Sequence, residues 1–470
     1  MNNRIGWRRV CIFFLSWAAV PFASPGQSFT TLVNFNGSNG ASPVFGPLVQ
    51  GTDGNLYGTT ELGGVSNVGT VFKMTTSGAL TTLCSFNSTD GANPLAGVVQ
   101  AIDGSFYGTT ELGGVSNVGT VFKMTSGGIL TVLHSFDSTD GANPYASLVQ
   151  ATDGNFYGTT FYGGAHGYGT IFRMTPGGVL TTLHSFDFTH GANPAARLVQ
   201  ATDGQFYGTA VFGGNGLPYG YGTIFKVTAG GALTTLHRFD FTDGIEPGGG
   251  LIQATDGNFY GTTSAGGADI IDCSEGCGTV FKMAPSGMLV TLHSFEFTDG
   301  TLPWSGLVQG TDGNFYGTTQ GAQGGAINEG TIFEITEGAT LTTLHTFSFT
   351  DGSTPEAGLL QATDGTFFGT TSQGGANNGI NGTIFSLSVG LGPFVKTLPA
   401  SGKVGTAIRI LGTNLTSATS VTFNGIAAMF TVVRSSLITA TVPIGATTGN
   451  IQVLTPGGVL ISNLPFRVRP

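Results

Sequence analysis

The sequence predicts an all-β chain: a seven-bladed β-propeller closed by an N-terminal strand, followed by an immunoglobulin-like β-sandwich. Three observations predict it. A unit of about 50 residues returns seven times. A stray copy of that unit's last strand stands at the start of the array, and the pattern changes after Ser388. Composition agrees. Only 9% of the 470 residues are charged, while 79 are glycine and 36 phenylalanine. Glycine without a triplet period excludes collagen, and aromatic rings at this level argue against a disordered chain.

Residues 1–28 are expected to be a secretory signal. Arg4, Arg8 and Arg9 precede the apolar run Val10 to Phe22, and small residues follow at Ala23, Ser24 and Gly26. The run is short for a membrane span, so no insertion is expected after cleavage; an uncleaved anchor is the alternative. Cleavage removes three cations and takes the net charge from −10 to −13, 26 acids against 13 Lys and Arg. That balance disfavours nucleic acid and anionic lipid as partners. Cys11 would leave with the signal. Cys273 and Cys277 share one loop and are expected to pair as a disulfide after export, ahead of a zinc site, for which no further ligands are placed. Cys84 remains as a small, partly buried thiol.

The segment DGNLYGTT at Asp53–Thr60 recurs from Asp103, Asp153, Asp203, Asp256, Asp312 and Asp364. GTVF at Gly69–Phe72 also occurs seven times, LVQ at Leu48–Gln50 precedes every DG, and LTTLHSF-type runs recur from Leu80 to Phe347. Each unit of residues 29–389 therefore holds four strand-like runs rich in β-branched and aromatic residues. Asp-Gly reads as a two-residue type I′ hairpin turn. Four short antiparallel strands per unit fit a propeller blade better than a parallel β-helix, whose repeats are shorter. The last unit lacks a fourth run, and Phe29–Phe35 supplies one, which would close the ring and remove an open sheet edge.

The DG-x-(F/L)-Y-GTT and GT-(V/I)-F-K units resemble the Gloeobacter/Verrucomicrobia tandem repeat of bacterial exported proteins, with Thr209-Ala210 and Phe367-Phe368 as mild departures. The resemblance implies a secreted or cell-surface repeat protein without assigned catalysis. A linker at 390–393 leads to residues 394–470. There Pro399–Thr406, Gly412–Leu415, Val421–Gly425 and Val442-Pro443 before Gly445–Gly449 resemble the IPT/TIG immunoglobulin-like family. Such domains imply a spacer or adhesive module. No sorting tail follows, so any anchor is expected elsewhere.

No HExxH, G-x-S-x-G or Walker loop is present. The seven Asp-Gly aspartates are explained by turn geometry. The Asp137–Asp140 and Asp240–Asp243 pairs lack the ligand count of a calcium loop. His134, His184, His237, His293 and His345 share one outer-strand position and are read as structural. Gln50, Gln100, Gln150, Gln200, Gln253, Gln309 and Gln361 end the same strand and predict a hydrogen-bonded ladder near the axis, with a water- or ligand-holding channel as the alternative.

Function is expected on the face that carries the long connections. All insertions fall there, at Gly214–Tyr221, Ala268–Cys277 and Gly321–Glu329, and so do Tyr162, His166, Tyr168, Tyr219, Tyr221 and Trp304. Aromatics beside polar loops suit an extracellular glycan or protein partner. The reading is a monomeric, non-catalytic binding or structural module with no cofactor. The alternative is a carbohydrate-active enzyme in which Glu329, Glu334, Asp269 and Asp272 gather at the channel mouth.

Overall fold

The computed structural model describes residues 26–469 apart from 215–218, 271–272, 322–328 and 377–378. Residues 1–25, which carry most of the expected signal, lie outside the described residues. No described helix is long and apolar enough to cross a membrane. Seven sheets of four strands each make the propeller. In the second repeat the strands are Val99–Gln100, Phe106–Thr110, Thr120–Met124 and Leu130–Ser135, hydrogen-bonded in that order and antiparallel throughout.

The Asp-Gly turn differs from the expected type I′ hairpin. Gly51 N–H donates to Asn55 O and Gly54 N–H to Gly51 O, which leaves three residues in the loop. Gly54 alone takes the left-handed conformation, with φ of 86°. A type I turn followed by a left-handed glycine closes a three-residue hairpin, so glycine is required at one position rather than two. The aspartate side chain accepts the N–H two residues on, Asn55 N–H to Asp53 Oδ1 at 3.2 Å.

Both faces of each sheet are buried, which is why the strands do not alternate apolar with polar. Adjacent residues of a strand point to opposite faces. Thus Phe106 looks back and stacks on Tyr57 at 4.1 Å, while Tyr107 looks forward and stacks on Phe156 at 4.1 Å. The relay continues through Tyr157–Phe206, Tyr207–Phe259, Tyr260–Phe315 and Tyr316–Phe367. Each pair contributes about 0.5–1.5 kcal/mol beyond its buried area. Glycine inside the strand allows this density: a Cβ on Gly58 would lie 2.6 Å from the Phe72 ring and 2.7 Å from Leu48. The threonines of GTT and GT hydrogen-bond each other, Thr60 to Thr70 at 2.8 Å, and are fully buried.

The N-terminal strand Ser28–Asn34 pairs antiparallel with Thr383–Ser388 and completes the last sheet. Phe29 stacks on His345 at 3.7 Å, and Phe35, 1% exposed, meets the Phe72 ring of the first repeat at 5.6 Å. The start of the chain therefore bridges the last blade and the first.

The second domain packs two four-stranded sheets around Ile408, Ile410, Val421, Phe423, Ile438 and Val453. Its strands include Ala407–Leu411, Ser420–Phe423, Leu437–Thr441 and Ile451–Thr455. It rests on the Asp-Gly face of the propeller. Ser436 Oγ donates to Thr52 O at 2.9 Å, Thr413 meets Thr363 at 3.0 Å, and Arg469 reaches Thr152 O at 3.2 Å.

Candidate functional site

The seven innermost strands surround the axis, and the glutamine that ends each one forms a ladder. Oε1 of Gln100, Gln150, Gln200, Gln253 and Gln309 accepts a backbone N–H from the turn of the preceding repeat at 2.8–3.0 Å. Gln50 closes the circle on Thr363 at 3.0 Å. Gln361 departs from this pattern. Its Oε1 has no hydrogen-bond partner among the described residues, and its backbone carbonyl accepts from Lys396 of the second domain.

Above the ladder lies a pocket of about 480 Å³, within the range of small-ligand sites. Asn463 and Leu464 of the second domain enter it from the Asp-Gly face and form its floor. Phe45, Tyr145, Phe161 and Trp304 line it toward the long-loop face. Tyr145 stacks on Phe161 at 4.5 Å, and Phe45 meets Trp304 edge-on at 6.4 Å. These residues lie where the repeat varies most. The position after the proline that precedes each inner strand is Leu95, Tyr145, Ala195, Gly248, Trp304 and Glu356 in successive repeats. Two residues further on stand Gly97, Ser147, Arg197, Gly250, Gly306 and Gly358. Arg197 is thus the single large side chain at a position otherwise held by glycine or serine in these repeats.

The mouth is polarised. Arg197 stands in the lumen, where water reaches it but protein surrounds it, and desolvation lowers its pKa. Nearby, burial raises the pKa of Glu61, and the neighbouring Glu111 adds to the shift. Burial likewise raises Glu111, which accepts from Tyr145 Oη at 3.2 Å. Glu356 is pushed up to about 7, chiefly by burial and further by the charge on Glu61. Gln320 donates to it at 3.2 Å.

Of the residues expected from sequence, Trp304 lies in this pocket. Tyr162, His166, Tyr168 and Tyr219 are exposed on loops of the third and fourth repeats. Tyr221 is half-buried and packs against the core cluster that includes Phe239. Phe45, Tyr145, Phe161, Arg197 and Glu356 were missed. Their signal was present as a few strongly variable places, after the proline and after GTT, in otherwise near-identical repeats. Two acids of the enzyme reading, Glu329 and Glu334, do not come together. Glu329 bonds Ser353, whereas Glu334 lies at the other end of the same strand against Asn314, and Asp272 is outside the described residues.

Cys273 and Cys277 form a disulfide with Cα atoms 5.3 Å apart. Asp269 lies beside them and completes the one His/Cys/Asp/Glu group among the described residues that is close enough to share an ion. With the sulfurs joined, neither is available as a thiolate ligand. Cys84 is half-buried, and burial pushes its thiol up to about 11. His134, His237 and His293 pair with Asp140, Asp243 and Asp299 at 2.7–2.9 Å and tie each outer strand to the loop that follows. Asp137 and Asp240 accept from the backbone and hydroxyls of their own turns.

The architecture defines a β-propeller protein with a C-terminal immunoglobulin-like domain. The chain belongs to the Gloeobacter/Verrucomicrobia repeat family, which it matches over residues 19–216 and 199–428, and residues 394–468 form an IPT/TIG domain. Among solved structures it is similar to a fungal alcohol oxidase of the AA5 family in complex with copper. The identity is 13%, with 95% of this chain and 99% of that one covered and a TM-score of 0.54. It is also similar to a B. thetaiotaomicron structure described as the extracellular domain of a hybrid two-component system. There the identity is 9%, with 94% and 57% covered and a TM-score of 0.50. At these identities the likeness shows the fold alone. No curated protein matches the sequence.

Proposed function

We propose that this chain is an exported, non-catalytic binding module that takes a glycan-sized ligand in the axial pocket, from the long-loop face. The observation that carries this reading is the pocket itself, walled by aromatics at the repeat position where the sequence diverges. A ring face packs well against the C–H face of a sugar, and rigid aromatics lose little conformational freedom on binding. The IPT/TIG domain would then serve as floor and carrier. Export is supported by the signal-like N-terminus and by the disulfide, which suits an oxidising compartment. The test is a glycan array followed by titration, with Trp304 fluorescence as reporter. Saturable quenching that Trp304→Phe abolishes supports the reading, and no ligand on any array counts against it.

A second reading, an extracellular carbohydrate-active enzyme, draws on Glu356. A carboxyl held near neutral pH in a cleft suits a general acid. Product analysis of the array hits by mass spectrometry separates the two. Turnover lost in Glu356→Gln favours the enzyme, and intact glycans favour the binding module.

A further inference from the structure

The position held by Arg197 lines the axial pocket in five repeats, and its neighbours around the ring are Ser147 and Gly250. No hydrogen bond or ion pair joins the Arg197 side chain to another described residue, and no nearby carboxylate contributes to its pKa. Arg197 is exposed to the lumen, so its charge is free to meet a ligand, and large departures from local consistency concentrate at functional sites. The fold does not need a cation here, because Gly97, Gly250, Gly306 and Gly358 serve the same place. What the cation offers is a planar fork of N–H donors in a confined lumen, a geometry that matches a carboxylate or a sulfate ester.

Resting on the binding reading above, we infer that the axial pocket selects an anionic ligand, an acidic sugar whose oxyanion is held by Arg197 while its ring lies among Tyr145, Phe161 and Trp304. The mouth has room for one or two sugar rings by its volume of about 480 Å³. Glu356 lines the same pocket three repeats away from Arg197, so the anion is directed to one side of the lumen and the hydroxyl groups to the other. Carboxylate and sulfate share the recognition chemistry, and the experiment tells them apart.

The full mature chain is titrated with digalacturonate, with its dimethyl ester and with a monosulfated disaccharide, at low and at physiological salt. Wild type is expected to prefer one of the anionic probes over the ester by roughly 10- to 100-fold, the range of a charge-assisted contact. Arg197→Gly, which installs the residue of four other repeats, is expected to lose that preference while melting no lower than wild type. Arg197→Lys is expected to keep part of it. Equal affinity for ester and acid in wild type overturns the inference but leaves the pocket a binding site. Absence of binding by all three probes, together with a silent glycan array, removes the binding reading with it. An Arg197→Gly protein that melts well below wild type gives the cation a structural role and also overturns the inference.

Discussion

Tyr57 donates its phenol hydrogen to Asp53 at 2.9 Å, and Lys73 from the third strand reaches the same carboxylate at 2.7 Å. The arrangement repeats. Asp103, Asp153, Asp203, Asp256 and Asp312 bond the tyrosine four residues on at 2.8–3.0 Å. The Asp of DG and the Tyr of YGTT are therefore one polar pair at the turn end of six blades, and the Lys of GTVFK joins it in three, as Lys73, Lys123 and Lys282. The seventh repeat keeps the aspartate and changes the other two places in keeping with this. It has Asp364, Phe368 and Ser386, its Asp364 side chain bonds only the Thr366 N–H, and Leu391 and Gly392 of the linker pack over Gly365 instead.

This pattern predicts unequal costs for one substitution. Asp256→Ala removes acceptors for Tyr260, Asn258 and Lys282 and is expected to destabilise the protein by about 1–3 kcal/mol. Asp364→Ala breaks one backbone contact and is expected to cost clearly less. Urea denaturation of both variants checks it, and equal losses would mean that the turn rather than the cluster is what the aspartate serves.

Acid sensitivity follows from the same groups. Burial pushes the Asp256 carboxyl up, but hydrogen bonds from Asn258, Lys282 and Tyr260 outweigh it and bring the pKa down to about 2. Asp53, Asp103 and Asp153 are lowered too. A folded-state pKa below the unfolded value of about 3.9 stabilises above that pH, and the contribution is lost as pH falls toward 2. The aspartates are expected to leave the melting temperature unaffected above pH 5 and to make it drop steeply below 4. Asp256→Asn should reduce that drop; a profile identical to wild type would contradict the assignment.

Closure makes a third prediction. Deleting 28–35 removes the pairing with Thr383–Ser388 and the rings of Phe29 and Phe35 from two blade interfaces. The resulting open edge is expected to give aggregated or unfolded protein. Phe35→Ala alone should cost about 3–5 kcal/mol. A truncated chain that stays monomeric and melts with wild type would refute closure by this strand.

Repetition explains what was legible in the sequence. Seven copies of one pattern reveal a blade, and the unmatched copy at Phe29–Phe35 reveals how the ring ends, because both depend on local periodicity. The pocket depends on something else. Tyr145, Arg197, Trp304 and Glu356 are each in a different repeat, and only the circular arrangement brings them around one axis. The aromatics expected from loop composition, such as Tyr162 and Tyr219, lie on neighbouring loops because exposure alone carries no direction. The hairpin type was misread for a related reason: Asp-Gly fits two turns, and the hydrogen bonds of Gly51 and Gly54 decide between them.

Glu356 couples the pocket to pH. Its pKa is raised from 4.5 to about 7, chiefly by burial and further by Glu61, with Ser372 opposing as a donor. Because the folded-state value is raised, the folded protein holds a proton that the unfolded chain releases. Stability therefore declines as pH rises from about 4.5 to 7, by up to about 3 kcal/mol. Glu356→Gln is expected to raise the melting temperature at pH 8 and to change little at pH 4. The same ionisation adds a negative charge to the lumen that Arg197 must offset. Affinity for an anionic sugar is then expected to fall several-fold between pH 6 and 8 in wild type and to stay level in Glu356→Gln. Calorimetric titration of digalacturonate at both pH values measures this, and a pH-independent affinity in wild type would place Glu356 outside the reach of the bound anion.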